Sequence, residues 1–284
     1  MIAEIGKRKS QYSKKAKALH RVYFYLRTIY EGTVTRDYAD PTASPEPTSV
    51  VSPLRLENIV QGESIAQSQL TGLHETDQEV YQSIYAIPQR LLVFLNEAIQ
   101  LISEVTAARQ ISGNTKIPSP LAERCDELET RIMDWKADSV TADDASNPAA
   151  NPRIIRHTTQ AFHQAIIIYF AQHIRLLGHW YLRPFVENVL SNLETVENIK
   201  TEWQILGSPL YWPAFIAASE AFDPNLQSRF RNWYAQVECY AIGSMDSVIR
   251  LLEQVWAEGP SNGSSDICLW RQIATRTKTT LMLT

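Results

Sequence analysis

Cysteine is scarce: 284 residues carry three, Cys125, Cys239 and Cys268, each far from the next. No closely spaced pair exists to hold a metal cluster or frame a small disulfide-rich fold, which points to a reducing compartment, cytosol or nucleus. Glycine is scarce too, at 10 residues, and neither a Gly-Lys-Ser/Thr triplet nor a G-x-S-x-G elbow occurs. Those absences remove the phosphate-cradling loop and the simplest acyl-transfer nucleophile. No His-Glu-x-x-His occurs either, so zinc-hydrolase spacing is missing. Residues 1–17 lack an apolar core segment, and no secretory signal is expected. The longest apolar run, Ala165 to Phe170, is too short to span a bilayer. Charge of one sign is also wanting, since the formal balance is −4, and a surface given over wholly to nucleic acid is not expected. The expectation is a soluble intracellular protein without a membrane partner.

What the chain does hold is apolar and aromatic side chains with a helical period. Hydrophobic residues make up 44% and Trp alone contributes seven, as in a globular protein. The length allows a sizeable core, in one large domain or two closely packed lobes. A basic start (Lys7, Arg8, Lys9, Lys14, Lys15, Lys17) runs into an amphipathic helix with Leu19, Val22, Tyr23, Leu26, Ile29 and Tyr30 on one stripe, ending at Gly32-Thr33. Pro41, Pro45, Pro47 and Pro53 then mark an extended linker. Residues 76–86 suggest a short helix. Stronger ones follow: Pro88 to about Ala108 (Leu91, Leu92, Leu95, Ile99, Ile102, Val105), and one opened by Ser119-Pro120 with Leu121, Cys125, Leu128, Ile132 and Trp135. Val140 to Asn151 reads as a surface loop. Asn151-Pro152 starts the longest candidate, to about Tyr181, apolar on more than one side and therefore central. Pro184 either kinks it or opens the next helix, which carries Phe185, Val189, Leu193 and Val196. Pro213 opens a helix, and Asp223-Pro224 starts another with Leu226, Phe230, Trp233 and Val237. Gly243-Ser244 precedes a last helix bearing Val248, Leu251, Leu252, Val255 and Trp256. No alternating strand pattern and no fixed-length repeat appear in the ordered regions. The predicted fold is all-α, an irregular multi-helix domain, divided into a basic N-terminal segment with the first helix (1–36), a Pro-rich linker (37–58), a helical domain (59–257) and a poorly ordered tail (258–284).

Candidate chemistry is thin. His157, His163, His173 and His179 lie on or near one long helix without two sharing a face a turn apart, so they read as packing or surface residues. Asp143-Asp144 sits in a Pro-flanked loop, where solvation explains it better than magnesium. Lys7, Arg8 and Lys9 are a candidate nuclear import signal, and Lys14 to Lys17 read as a solvated helix start. In the Trp212 helix, Phe215, Ile216 and Ser219 keep helical spacing and Glu220 falls on the same face, where a buried carboxylate needs a partner; Arg229 or Arg231 could supply it. Trp212, Glu220, Arg229 and Trp233 thus form either an effector pocket for an amino-acid-like ligand or a Glu–Arg pair locking consecutive helices, the second being preferred.

Several blocks in order carry a wider likeness. They are Leu19-His20-Arg21-Val22-Tyr23-Phe24-Tyr25-Leu26-Arg27, Ile87-Pro88-Gln89-Arg90-Leu91-Leu92, Cys125-Asp126-Glu127-Leu128-Glu129 with Asp134-Trp135, His173-Ile174-Arg175-Leu176-Leu177-Gly178, and Tyr211 to Phe222. Together they resemble the C-terminal regulatory domain of the fungal zinc-cluster transcription factors, most nearly the arginine-metabolism group among them. The resemblance covers most of the chain. It implies a non-enzymatic nuclear regulator of RNA polymerase II genes, working through contacts with transcriptional coregulators or another protomer, with a small-molecule effector conceivable. Members carry an N-terminal six-cysteine cluster that binds two zinc ions. Cys125, Cys239 and Cys268 cannot form one, so no cofactor or metal is expected in this chain and direct DNA binding is not expected of it alone. The expectation is a C-terminal portion of a regulator or a shortened product. The alternative is a helical scaffold or small-molecule-binding module without a DNA reader, titrating the partners of an intact paralogue.

Overall fold

The computed structural model describes residues 14–34, 87–137, 150–240, 245–260 and 268–283, with side chains from residue 22 onward. The expected linker (37–58), the short helix at 76–86, the loop with Asp143-Asp144, the import candidates Lys7, Arg8 and Lys9, and Gly243-Ser244 lie outside them. Among the described residues every regular element is helical and none is a strand, as the periodicities require. The helices are α1 Lys14–Thr33, α2 Gln89–Ser112, α3 Ser119–Met133, α4 Ala150–Phe170, α5 His179–Trp203, α6 Tyr211–Ala218, α7 Pro224–Val237, α8 Met245–Glu258 and α9 Leu269–Thr277.

The fold is organised around α4 and α5, whose interface is the most extensive between any two helices. α4 is apolar on several sides because several neighbours cover it: α2, α3, α5 and α6 all pack against it, and Phe162, Ile166, Tyr169 and Phe170 are buried. α1 rests on α2, α7 covers α5 and α6, and α8 joins α6 to α9. By length and composition alone α2 would suffice to cross a membrane. Its apolar residues Leu91, Leu95, Ile102 and Val105 are instead committed to the core, and its outer side carries Glu97 and Glu104, paired with Arg131 and Arg124 of α3.

Three expectations are corrected. The stripe foreseen on α1 is only partly the buried face: its Ile29 is buried, but its Tyr23, Leu26 and Tyr30 are exposed, and Thr28, Gly32 and Thr33 are buried instead. Small size at the C-terminal end decides the docking. An added Cβ at Gly32 would meet Trp212 Nε1 and Ile99 Cδ1 at 3.4 Å, and the threonine hydroxyls bond carbonyls of their own helix (Thr28 to Phe24 O, 2.8 Å; Thr33 to Tyr30 O, 3.0 Å). Second, the long helix does not run to Tyr181. It widens into a π turn at Ala171–Arg175 and stops where Leu176 takes the left-handed conformation (φ 53°). Arg109 of α2 satisfies the freed carbonyls, donating to His173 O (2.8 Å) and Ile174 O (2.7 Å). Pro184 neither kinks this helix nor opens the next, but sits inside α5 beyond its first turn.

The third correction concerns the tail. Residues 268–283 are built into the core: Trp270 and Ile273 are completely buried, and Leu281 and Leu283 nearly so. Composition misleads because the short amphipathic helix α9, framed by Ser and Thr, inserts its one tryptophan between His173 and Phe215. The starts of α6 and α7 follow the sequence. Pro213 is the third residue of α6, where its missing N–H deprives the helix of nothing. Asp223 caps α7, accepting from Asn225 N–H (2.8 Å) and Leu226 N–H (3.4 Å).

Candidate functional site

The four residues singled out from sequence are not brought together. Trp212 lies in the core with its ring 5.1 Å from Phe162 and 5.7 Å from Tyr169. Trp233 stacks edge-on with Tyr211 and Tyr234 on the other side of α6. Arg229 turns outward and grips Glu194 of α5, with Nε to Oε1 at 3.0 Å and Ser191 Oγ also in reach. Arg231 takes Glu253 of α8 (2.6 Å) and covers the Trp256 ring. The expected effector pocket and the expected Glu220–Arg lock are therefore both corrected. α6 ends at Ala218, so Glu220 leaves the helical stripe and turns towards α4, where Gln172 Nε2 donates to its Oε1 at 2.6 Å. Arginine does lock helices here, but it joins α7 to α5 and to α8.

The polar centre lies instead where α1, α4 and α9 converge. Arg271 donates to Gly32 O (3.1 Å) and accompanies Tyr169, whose hydroxyl also donates to Gly32 O (3.0 Å). The guanidinium covers the Tyr169 and Trp270 rings, so one side chain of α9 clasps the end of α1 to the middle of the core. Beside it, His173 Nδ1 contacts Tyr169 O at 2.7 Å and Nε2 contacts Cys268 Sγ at 3.2 Å. A carbonyl can only accept, so Nδ1 carries the proton, Nε2 is the acceptor, and the thiol donates.

A cysteine beside an imidazole suggests nucleophilic catalysis, but the electrostatics run the other way. Burial pushes the Cys268 thiol up to about 12, against the lowering influence of Arg271. Burial and then Arg271 hold His173 well below its ordinary range. Both groups stay neutral, and the thiolate a nucleophile requires is suppressed. His157 and His163 are also lowered by burial; His157 Nδ1 bonds Asn192 Oδ1 (2.7 Å) and His163 Nε2 donates to Ile132 O (2.7 Å). His157, His163 and His173 thus serve helix packing. Among the described residues, no three or more His, Cys, Asp or Glu side chains are grouped to hold a metal ion.

Two further buried polar arrangements had partners with no clear sign in the sequence. Glu220 keeps part of its surface accessible, but its carboxyl is enclosed largely by protein; burial raises it to about 7, the Gln172 bond opposing. In α5, Glu197 and Lys200 form a buried ion pair at 2.8 Å, and Lys200 Nζ also donates to Gly207 O (3.1 Å) and Ser208 O (3.3 Å), pinning the loop into α6. An i, i+3 Glu–Lys pair ordinarily signals a solvated face. Only the lack of any other cation near residues 204–210 hinted that this lysine serves the loop.

The family model described as "Fungal specific transcription factor domain" matches residues 1–284. The arginine metabolism regulation protein II of Saccharomyces cerevisiae is similar, 24% identical over 232 residues, covering 78% of this chain and 25% of that protein. The chain thus spans about a quarter of the length of the curated relative it matches. No solved structure matches.

Proposed function

The chain belongs to the fungal-specific transcription factor domain family, and from that membership we propose that it works as a non-catalytic docking body for transcriptional coregulators or a second protomer. The match across residues 1–284 carries this reading. The site chemistry supports it. The buried thiol, imidazoles, carboxylates and arginines are spent on joining helices, and Cys268 and His173 are both held in their unreactive neutral forms. A body of this kind presents helix faces and charged rims, such as the paired arginines on α7, to partner proteins. The regulated genes are proposed to serve arginine or related nitrogen metabolism, a reading supported by the name of the similar yeast protein. The place of action is the nucleus, as that role requires.

The test uses the intact chain, tagged in its native cell. Crosslinking of the nuclear fraction is expected to recover components of the transcription machinery, and reporter output is expected to shift between arginine and ammonium as nitrogen source. A product that shows neither a nuclear pool nor chromatin association would overturn the proposal. Recovery of an intact zinc-cluster relative as the dominant crosslinked species would favour the titrating scaffold instead.

A further inference from the structure

The domain buries two carboxylates among its described residues in different ways. Glu197 faces the Lys200 ammonium. Glu220 faces an amide: Gln172 Nε2 donates to its Oε1 at 2.6 Å and stands 3.5 Å from Ser219 Oγ, which itself donates to Ile216 O. The other end of that amide is left over. Gln172 Oε1 is buried and has no hydrogen-bond partner among the described residues. An acceptor stranded next to a carboxyl group is satisfied by one simple change, a proton on the carboxyl.

We propose that Glu220 and Gln172 form a proton-dependent lock between the π turn that ends α4 and the turn that follows α6. In the closed state the neutral Glu220 carboxyl donates its proton to Gln172 Oε1 while Gln172 Nε2 donates to Glu220 Oε1. Loss of that proton to solvent removes the first bond, strands the amide oxygen again and leaves a negative charge in a largely enclosed site. The lock lies at a junction that matters for the whole body. Trp256 of α8 donates to Ala218 O (2.8 Å), two residues before Glu220, and Phe222 packs on His179 of α5 two residues after it.

Among the described residues, the groups around Glu220 supply no counter-charge to hold it ionised. On the π turn that ends α4, His173 is neutral and committed to Tyr169 O and Cys268. From α9, Cys268 stays a thiol and Arg271 is engaged with Gly32 O and Tyr169. On the turn itself, Asp223 is paired with Arg183 of α5 at 3.1 Å, and His179 is lowered by burial. The raised value of about 7 at Glu220 accords with this geometry.

Hydrogen exchange of the intact 284-residue chain tests the lock, read on amides of residues 216–226 and corrected for intrinsic pH dependence. A carboxyl whose pKa drops to its ordinary value on opening makes protection fall as pH rises, by up to about thirty-fold from about pH 5.5 to about pH 8.5, less where water reaches the outer oxygen. Glu220→Gln, which mimics the neutral acid, is expected to show flat protection at the wild-type low-pH level. Gln172→Met keeps the carboxyl enclosed but removes the amide, and is expected to lose protection at about pH 5.5. Wild-type protection as flat as that of Glu220→Gln would overturn the proposal. Gln172→Met as well protected as wild type at low pH would also overturn it, because burial without an amide lock would then suffice.

Discussion

Replacing Lys200 by Met separates charge pairing from mere burial more cleanly than any other change in this domain. The Lys200 and Glu197 side chains are 7% and 5% exposed, and all three donors of the ammonium are used, on Glu197 Oε1, Gly207 O and Ser208 O. Met fills the volume of the stem but leaves Glu197 as an uncompensated buried carboxylate beside two deprived loop carbonyls. Breaking such a pair from one side destabilises by about 3–5 kcal/mol. Glu197→Gln leaves the ammonium with a neutral acceptor and both loop carbonyls, and is expected to cost about 1–3 kcal/mol. The double variant carries no buried charge, so it should be more stable than Lys200→Met alone by about 2 kcal/mol; with the cost of Glu197→Gln added, that is a coupling of about 3–5 kcal/mol, well outside ordinary non-additivity. Urea unfolding followed by tryptophan fluorescence, at unchanged slope, reads each of these differences. A loss below about 1 kcal/mol for Lys200→Met, or simple additivity in the double variant, would refute the claim that a desolvated pair pins this loop.

Three other outcomes follow from the same geometry. Gly32→Ala should be neutral or stabilising by up to about 1 kcal/mol, because its Cβ would sit at ordinary contact with Trp212 and Ile99; Gly32→Val should cost about 1–3 kcal/mol by overpacking, both read as shifts in melting temperature. Asp223→Ala should cost about 1 kcal/mol by removing the α7 cap, and Asp223→Asn much less, measured by urea unfolding. A thiol reagent at mildly alkaline pH should label the exposed Cys239 quickly and reach Cys125 and Cys268 only as the chain unfolds, since burial raises both of those thiols; rapid labelling of all three in the native state would contradict the packing of α9.

What could be read from sequence was what one helix decides by itself. The Asp223 cap, the Pro213 start of α6, the stripes of α2, α3, α7 and α8, and the absence of strands among the described residues all came from local periodicity and backbone chemistry. The errors arose where a neighbour decides. α1 offers two faces, and the larger, more aromatic one lost because the helix approaches Trp212 and Ile99 closely at Gly32, where only a small residue fits. The end of α4 is set by a left-handed Leu176 and by Arg109, more than sixty residues earlier in the chain, and no pattern within the helix encodes either. α9 is too short for periodicity to announce, and only its burial of Trp270 shows that it belongs to the core.

The same distinction explains why the expected cluster around Glu220 failed while family membership did not. Order and composition along the chain survive any rearrangement of side-chain partners, so the resemblance held without knowledge of a single contact. A side-chain pair is a statement about three dimensions. The arginines nearest Glu220 in sequence lie on the outer side of α7, because Leu226, Phe230 and Trp233 take its inner side. Arg229 and Arg231 therefore meet the outward carboxylates of α5 and α8, and Glu220 is left to an amide. An amide can serve both protonation states of its partner, whereas a guanidinium serves only the ionised one. The substitution of Gln172 for the expected arginine thus turns a permanent ion pair into a joint whose strength depends on one proton.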